Sequence, residues 1–271
     1  MRYLQRPDGR IAYDLHGPAD GPLVVCVPGM GDVRSTYRHL TGPLTEAGYR
    51  VAAMDLRSHG DSDTAFASHT TVDTAEDTAA LIKELGGPAT VVGNSLGATA
   101  AAWVAATRPE LVDGLVLSGA FLRGEGVRGA TGLALKAMLM RPWGPAMAER
   151  YLGSLFAGRT SEDHPAHMAA IRAALRSRDR YPGILAVFAN AFRPVPARLD
   201  DVRAPALVVM GELDRDWPDP AAEAEWMRDR LGADLLMVPE AGHYPLAQRP
   251  DVTVPALLDF LAATAREAGR A

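Results

Sequence analysis

One cysteine, two lysines, 6% aromatic residues and the want of any long apolar run are the first features of this 271-residue chain. A single thiol, Cys26, excludes an intramolecular disulfide. Its place inside Leu23-Val24-Val25-Cys26-Val27 makes it a buried strand residue suited to a reducing compartment. No stretch reaches the ~18 uninterrupted apolar residues of a bilayer-spanning helix, and Met1-Arg2-Tyr3-Leu4-Gln5-Arg6-Pro7-Asp8-Gly9 contains no apolar targeting core. The expectation is an unprocessed, cytoplasmic protein. Positive charge is also short: 28 Lys and Arg stand against 33 Asp and Glu, for a net charge of −5. That balance offers no electrostatic footprint for nucleic acid or for an anionic membrane surface. The expected partner is therefore a small molecule, with no nucleic acid and no membrane; a homo-oligomer is compatible with the sequence.

What is present is the composition of a packed protein, 48% hydrophobic and 23% charged. An opening hairpin is predicted over residues 2–15, turning at Pro7-Asp8-Gly9. Short apolar runs then alternate with helical stretches: 23–27 with 34–47, 50–56 with 71–85, 89–92 with 96–107, then 112–117. Fully apolar strands separated by helices imply a mostly parallel sheet covered on both faces, hence a doubly wound α/β fold. From 121 to about 197 no strand-like run occurs and the pattern is helical, rich in Met and in aromatics such as Trp143, Tyr151, Phe156, Phe188 and Phe192. Alternation resumes at 206–210, 220–231, 235–238 and 251–267. The predicted organisation is a core of residues 1–120 and 198–271 carrying a helical cap inserted over 121–197.

The strongest local signal is Gly93-Asn94-Ser95-Leu96-Gly97, between a predicted strand and a predicted helix. A serine on so tight a strand-to-helix turn is held in a strained conformation that projects its hydroxyl beyond the sheet, and the residues two away on each side must lack side chains. A hydroxyl needs an imidazole to take its proton, and the imidazole needs an acceptor that fixes its tautomer. His243, in Ala241-Gly242-His243-Tyr244-Pro245, follows the last predicted strand. The acid belongs to Gly211-Glu212-Leu213-Asp214-Arg215-Asp216, also just past a strand end; Asp214 is preferred, with Asp216 and then Glu212 as alternatives. Val27-Pro28-Gly29-Met30-Gly31-Asp32 follows the first parallel strand, and the N–H groups of Met30 and Leu96 are the expected oxyanion donors. Asp32 is expected to cap the next helix.

Ser95, Asp214 and His243 in this chain order, with Gly29-Met30-Gly31, resemble the α/β-hydrolase superfamily, capped serine hydrolase type. Further resemblance lies in Met54-Asp55-Leu56-Arg57-Ser58-His59-Gly60-Asp61-Ser62 and in the closing Pro250 and Phe260-Leu261. Two departures stand out: Pro28-Gly29 where the family often has His-Gly, and Ser58 where it often has Gly. The resemblance implies a cofactor-independent, carboxylesterase-like enzyme cleaving an ester, thioester, lactone or similar activated carbonyl through an acyl-enzyme on Ser95. Carbon–carbon bond hydrolases, perhydrolases (cofactor-free haloperoxidases) and some lyases share the arrangement and form the alternative. A serine at position 95 disfavours dehalogenases and epoxide hydrolases, which use aspartate there. A non-catalytic ligand receptor is a further alternative.

Other motifs carry less. His164 and His167 suggest a helix start rather than a metal site, and 57–63 reads as a structural turn. Gly29-Met30-Gly31 lacks a third glycine and no Gly-Lys-Ser/Thr follows it, so neither cofactor nor metal is expected. The apolar insertion suggests a substrate with an apolar acyl part.

Overall fold

The computed structural model describes residues 1–123, 137–191, 198–267 and 269. Eight strands form one sheet: β1 Arg2–Arg6, β2 Gly9–His16, β3 Leu23–Val27, β4 Arg50–Met54, β5 Ala89–Asn94, β6 Val112–Ser118, β7 Ala206–Gly211 and β8 Asp234–Val238. Their order across the sheet is β1-β2-β4-β3-β5-β6-β7-β8. The opening hairpin pairs Arg6 with Gly9, and β2 runs antiparallel to β4. All pairings from β4 to β8 are parallel.

The apolar runs explain this layering. Every residue of β3, β5 and β7 is buried, as strands packed on both faces require. Alternate side chains divide between two cores. Val24, Cys26, Val92, Val116 and Val209 face Leu40 and Leu44 of helix α1 (Arg38–Glu46) and Leu257 and Leu261 of the C-terminal helix, Pro250–Glu267. Val25, Val27, Val91, Leu117 and Val208 face α2 (Thr71–Glu84), α3 (Leu96–Thr107) and the helix Pro220–Leu231. Helices on both faces make the sheet doubly wound, as expected. The small side chains of Gly97, Ala98, Ala100, Ala101 and Ala102 let α3 lie close against the sheet, and most of that helix is buried.

Local chemistry sets the helix ends. Thr70 and Asp73 form a reciprocal cap on α2. Asp219 accepts from the Ala222 N–H at 3.0 Å to start Pro220–Leu231, and Gly232 ends it at φ +61°. The stretch expected as one helix over 34–47 opens as a single tighter turn, Arg34–Tyr37, before α1.

Between β6 and β7 lie α4 (Gly144–Ser154), α5 (His164–Arg176) and α6 (Tyr181–Ala191). The insertion expected over 121–197 includes 124–136 and 192–197, with Phe192 among them, and these two segments lie outside the described residues. The described part is bound tightly to the rest. Arg38 grips Asp163 at 2.6 and 2.7 Å, and Arg180 donates to the Ser62 carbonyl at 2.6 Å. Gly158 bridges Ala241. Gly183 approaches so closely that a Cβ there would lie 2.0 Å from Ser58 Oγ.

Candidate active site

Ser95 sits between β5 and α3 at φ +55°, ψ −119°, in the left-handed region that non-glycine residues rarely occupy. The surrounding backbone holds it there. Its N–H donates to the Ser118 carbonyl at 2.7 Å. A Cβ on Gly97 would lie 2.1 Å from the Val27 carbonyl oxygen, and one on Gly93 would lie 2.5 Å from the backbone of Ala98. Both glycines are thus required by close backbone approach, as the sequence motif implied. Gly97→Ala is expected to destabilise the protein by about 3 kcal/mol, lowering Tm by roughly 6–12 °C in calorimetry.

Two loops bring Asp214 and His243 together at the same edge of the sheet. Gly211 lets these loops touch, since a Cβ there would lie 2.0 Å from the Gly242 carbonyl oxygen, and a Cβ on Gly242 would lie 2.2 Å from the Leu155 carbonyl oxygen. The Leu213 N–H donates to the Ala241 carbonyl at 2.8 Å. The His243 Nδ1–H donates to Asp214 Oδ2 at 2.7 Å, and both side chains are buried. Burial pulls the His243 imidazole down, but the charge and hydrogen bond of Asp214, with Asp216, more than offset this and hold it above its usual range. Gly119, the residue after Ser118, packs against the ring; a Cβ there would lie 2.8 Å from His243 Cε1. The residue paired with Ser95 therefore adjoins the one that seats the imidazole. Among the described residues, the Ser95 hydroxyl has no hydrogen-bond partner.

Of the three acids in the 211–216 loop, Asp214 is the one bonded to His243. Asp216 takes a different place: Oδ2 lies 3.6 Å from His243 Nε2, and Oδ1 accepts from the Tyr151 hydroxyl of α4 at 2.9 Å. Glu212 is exposed. Asp214, Asp216 and His243 bring three metal-ligand-type atoms within 4.8 Å, although Asp214 Oδ2 and His243 Nδ1 are already spent on each other.

The Met30 and Leu96 N–H groups donate to no described residue. Gly29 brings their loops together; a Cβ there would lie 3.1 Å from Ser95 Cβ. The bracing of the Met30 loop was not visible in the sequence. Gly31 N–H donates to His59 Nε2 at 3.0 Å, and the His59 Nδ1–H donates to the Arg57 carbonyl at 2.8 Å. Arg57 in turn pairs with the buried Asp77 at 2.7 and 2.9 Å. Segment 57–63 is thus a structural turn that reaches the site through His59. Ser58 has φ +65°, which explains why glycine suits that position, and its hydroxyl lies 2.9 Å from His69 Nε2.

Burial pulls the His59 imidazole down to about 4, against the opposing pull of the Arg57 carbonyl and Asp32. An unfolded histidine binds a proton below about pH 6.5, whereas His59 in the native state does not until about pH 4. Stability is therefore lost as pH falls through that window, by up to roughly 3 kcal/mol. In urea unfolding at pH 7.5 and pH 5, His59→Gln is expected to lose about 2 kcal/mol less than the wild type on acidification; equal losses would refute this.

Asp32 does not cap the following turn, whose cap residue is Val33. Instead Asp32 Oδ1 accepts from the adjacent Val33 N–H at 2.7 Å and lies 3.0 Å from Nε2 of His167, whose Nδ1 is 3.0 Å from Ser35 Oγ. The His164 ring lies against that of Phe156, with centroids 4.4 Å apart and planes tilted by 51°. His167 thus joins the insertion to the core, whereas His164 packs within the insertion. Gln248 clamps the His243 loop: Oε1 accepts from Gly242 N–H at 2.9 Å, and Nε2 donates to the Ala157 and Arg159 carbonyls. The His243 N–H itself donates to the Leu155 carbonyl at 2.9 Å. Apolar side chains surround the edge. Phe121 lies 4.7 Å from the Trp217 ring and 6.0 Å from that of His243, and Leu152 and Phe188 press on Gly31.

The chain belongs to the alpha/beta hydrolase family, whose sequence profile matches residues 24–256. It is 29% identical over 267 residues to the 2-(acetamidomethylene)succinate hydrolase of Mesorhizobium japonicum, covering 93% of this chain and 92% of that one. It is 27% identical over 280 residues to 2-hydroxy-6-oxononadienedioate/2-hydroxy-6-oxononatrienedioate hydrolase 1 of Dechloromonas aromatica, covering 96% and 94%. Among solved structures, a thermophilic esterase from Thermogutta terrifontis superposes with a TM-score of 0.81 at 23% identity, covering 97% of this chain and 99% of the other. The protein is thus an enzyme of the α/β-hydrolase family. Among the described residues, no helix is long and apolar enough to cross a membrane.

Proposed function

We propose that this enzyme is a serine hydrolase that cleaves an ester, thioester, lactone or similarly activated carbonyl through an acyl-enzyme, without a cofactor. The observation that carries the reading is the 2.7 Å Asp214–His243 pair at the sheet edge where Ser95 is held at φ +55°. Ser95 Oγ bonds to the carbonyl carbon while its proton passes to His243 Nε2. The tetrahedral oxyanion takes the N–H groups of Met30 and Leu96, which donate to no described residue. As the bond to the leaving group breaks, Nε2 returns the proton to it. Water then gives a proton to Nε2 and its oxygen to the acyl carbon, the Oγ–carbon bond breaks, and Ser95 regains its hydrogen. Asp214 orients the ring and stabilises the imidazolium.

The insertion expected over 121–197, with its helices α4, α5 and α6, acts in this reading as a cap on the core of 1–120 and 198–271. Leu152 and Phe188 against Gly31, and the paired rings of Phe121 and Trp217, support an apolar acyl group as substrate. A cytoplasmic setting fits the buried Cys26, whose thiol burial pushes up to about 12, far from the range of a reactive thiolate.

A fluorophosphonate probe tests the reading. The wild type is expected to be labelled and Ser95→Ala not; absence of labelling in folded wild-type protein would overturn it. The named relatives differ widely in substrate, so product analysis completes the test: an acid with an alcohol or thiol supports acyl transfer, whereas a released ketone supports carbon–carbon cleavage.

A further inference from the structure

Asp216 has no part in the steps just described, yet it occupies a costly position. Asp214 already supplies the acceptor for Nδ1, so the fold needs no second carboxylate at this imidazole. Asp216 Oδ2 is nonetheless buried, has no hydrogen-bond partner among the described residues, and lies 3.6 Å from Nε2, the nitrogen that handles the travelling proton. A buried, unpartnered carboxylate oxygen is retained only against a substantial desolvation cost. Its orientation is imposed from the insertion, because the Tyr151 hydroxyl donates to Oδ1 at 2.9 Å and turns Oδ2 toward the ring. Burial pushes the Asp216 carboxyl up; His243 and the Tyr151 hydrogen bond pull it back, and Asp214 adds a further push. The charged groups that bear most on His243 are Asp214, Asp216 and Asp32, all acidic.

The leaving atom must come within about 3 Å of Nε2 to be protonated. That puts it within about 7 Å of Asp216 Oδ2. Because Oδ2 is shielded from solvent, its charge acts on the leaving group as a field little screened by water. We infer that Asp216, held by Tyr151, is a specificity-determining residue that makes the leaving-group side of the site favour cationic leaving groups over neutral ones and reject those bearing a carboxylate. This inference rests on the acyl-transfer reading. For a charge two carbons from the leaving oxygen, at a separation of about 8–10 Å and an effective dielectric of about 20, each unit charge should change kcat/KM by roughly 20-fold, in opposite directions for cation and anion.

The test uses three esters of one acid, chosen as the acyl group best cleaved from nitrophenol: the choline ester, its neutral isostere the 3,3-dimethylbutyl ester, and the 2-carboxyethyl ester. All share the O–CH2–CH2 link and differ in terminal charge. At pH 8 and low ionic strength, kcat/KM for the choline ester is expected to exceed that for the carboxyethyl ester by at least about 100-fold, with the neutral ester between. In Asp216→Asn that ratio should fall at least tenfold, and in Tyr151→Phe, which keeps the charge but frees its orientation, by a smaller factor. Added salt should change the ratio little. A wild-type ratio under about fivefold overturns the inference, as does a ratio that survives in both variants. Failure of the acyl-transfer reading would appear separately, as no Ser95-dependent cleavage of the neutral ester.

Discussion

Alanine at position 95 is expected to lower kcat on nitrophenyl esters by about 10⁴-fold or more, with Tm essentially unchanged. The two halves of this expectation have separate causes. Ser95 Oγ has no hydrogen-bond partner among the described residues, so removing it leaves no buried group unsatisfied. Alanine carries the same Cβ, so the backbone at φ +55° is held by the same neighbours at the same cost. The rate loss is therefore a loss of chemistry rather than of fold. Residual turnover should persist above the rate in water, because the unspent N–H groups of Met30 and Leu96 still polarise a bound carbonyl. Ser95→Ala/His243→Ala should be scarcely slower than Ser95→Ala alone, since a base without its nucleophile has nothing to activate. Steady-state kinetics with calorimetry on both variants checks this; a Ser95→Ala enzyme within tenfold of wild type would end the nucleophile assignment.

The features legible in the sequence are those with a local cause. Leu23-Val24-Val25-Cys26-Val27 reads as a central strand because every position is apolar, and every one is buried. The turn at Ser95 was readable because close packing demands glycine on both sides within five residues, and the 2.1 Å approach to the Val27 carbonyl shows why. The preference for Asp214 over Asp216 rests on spacing alone; in the structure Oδ2 of Asp214 meets Nδ1, whereas Asp216 faces Nε2. What escaped were contacts between distant stretches of chain. His59 braces Gly31 across 28 residues, Tyr151 holds Asp216 across 65, and Gln248 reaches Ala157 across 91. No periodicity encodes such pairings. The Asp32 side chain illustrates the same limit, since the local expectation of a helix cap lost to a histidine brought in by the insertion.

Asp214→Asn is expected to reduce kcat by about 10³- to 10⁴-fold at neutral pH and to move the acidic limb of kcat/KM to lower pH. An asparagine amide can donate to Nδ1 as well as accept from it, so the ring loses the bond that fixes Nδ1–H and leaves Nε2 free to take the serine proton. The direction of the pH shift follows from charge. In the wild type Asp214 and Asp216 outweigh burial and hold the imidazole above its usual range, so the limb should lie above about pH 6.5, with activity lost as pH falls through it. Removing the Asp214 charge lets burial pull the ring down, and the base form persists to lower pH even as it becomes ineffective. The shift should be incomplete, because Asp216 remains 3.6 Å from Nε2, and Asp214→Asn/Asp216→Asn should move the limb further. The two carboxylates are then told apart by what each controls. Asp214→Asn should slow the neutral and charged esters alike through kcat, whereas Asp216→Asn should alter the ranking among them. Were Asp216→Asn the more damaging to kcat on a neutral ester, the carboxylate facing Nε2 would be the one that the chemistry requires, and Asp214 would serve to hold the ring in place.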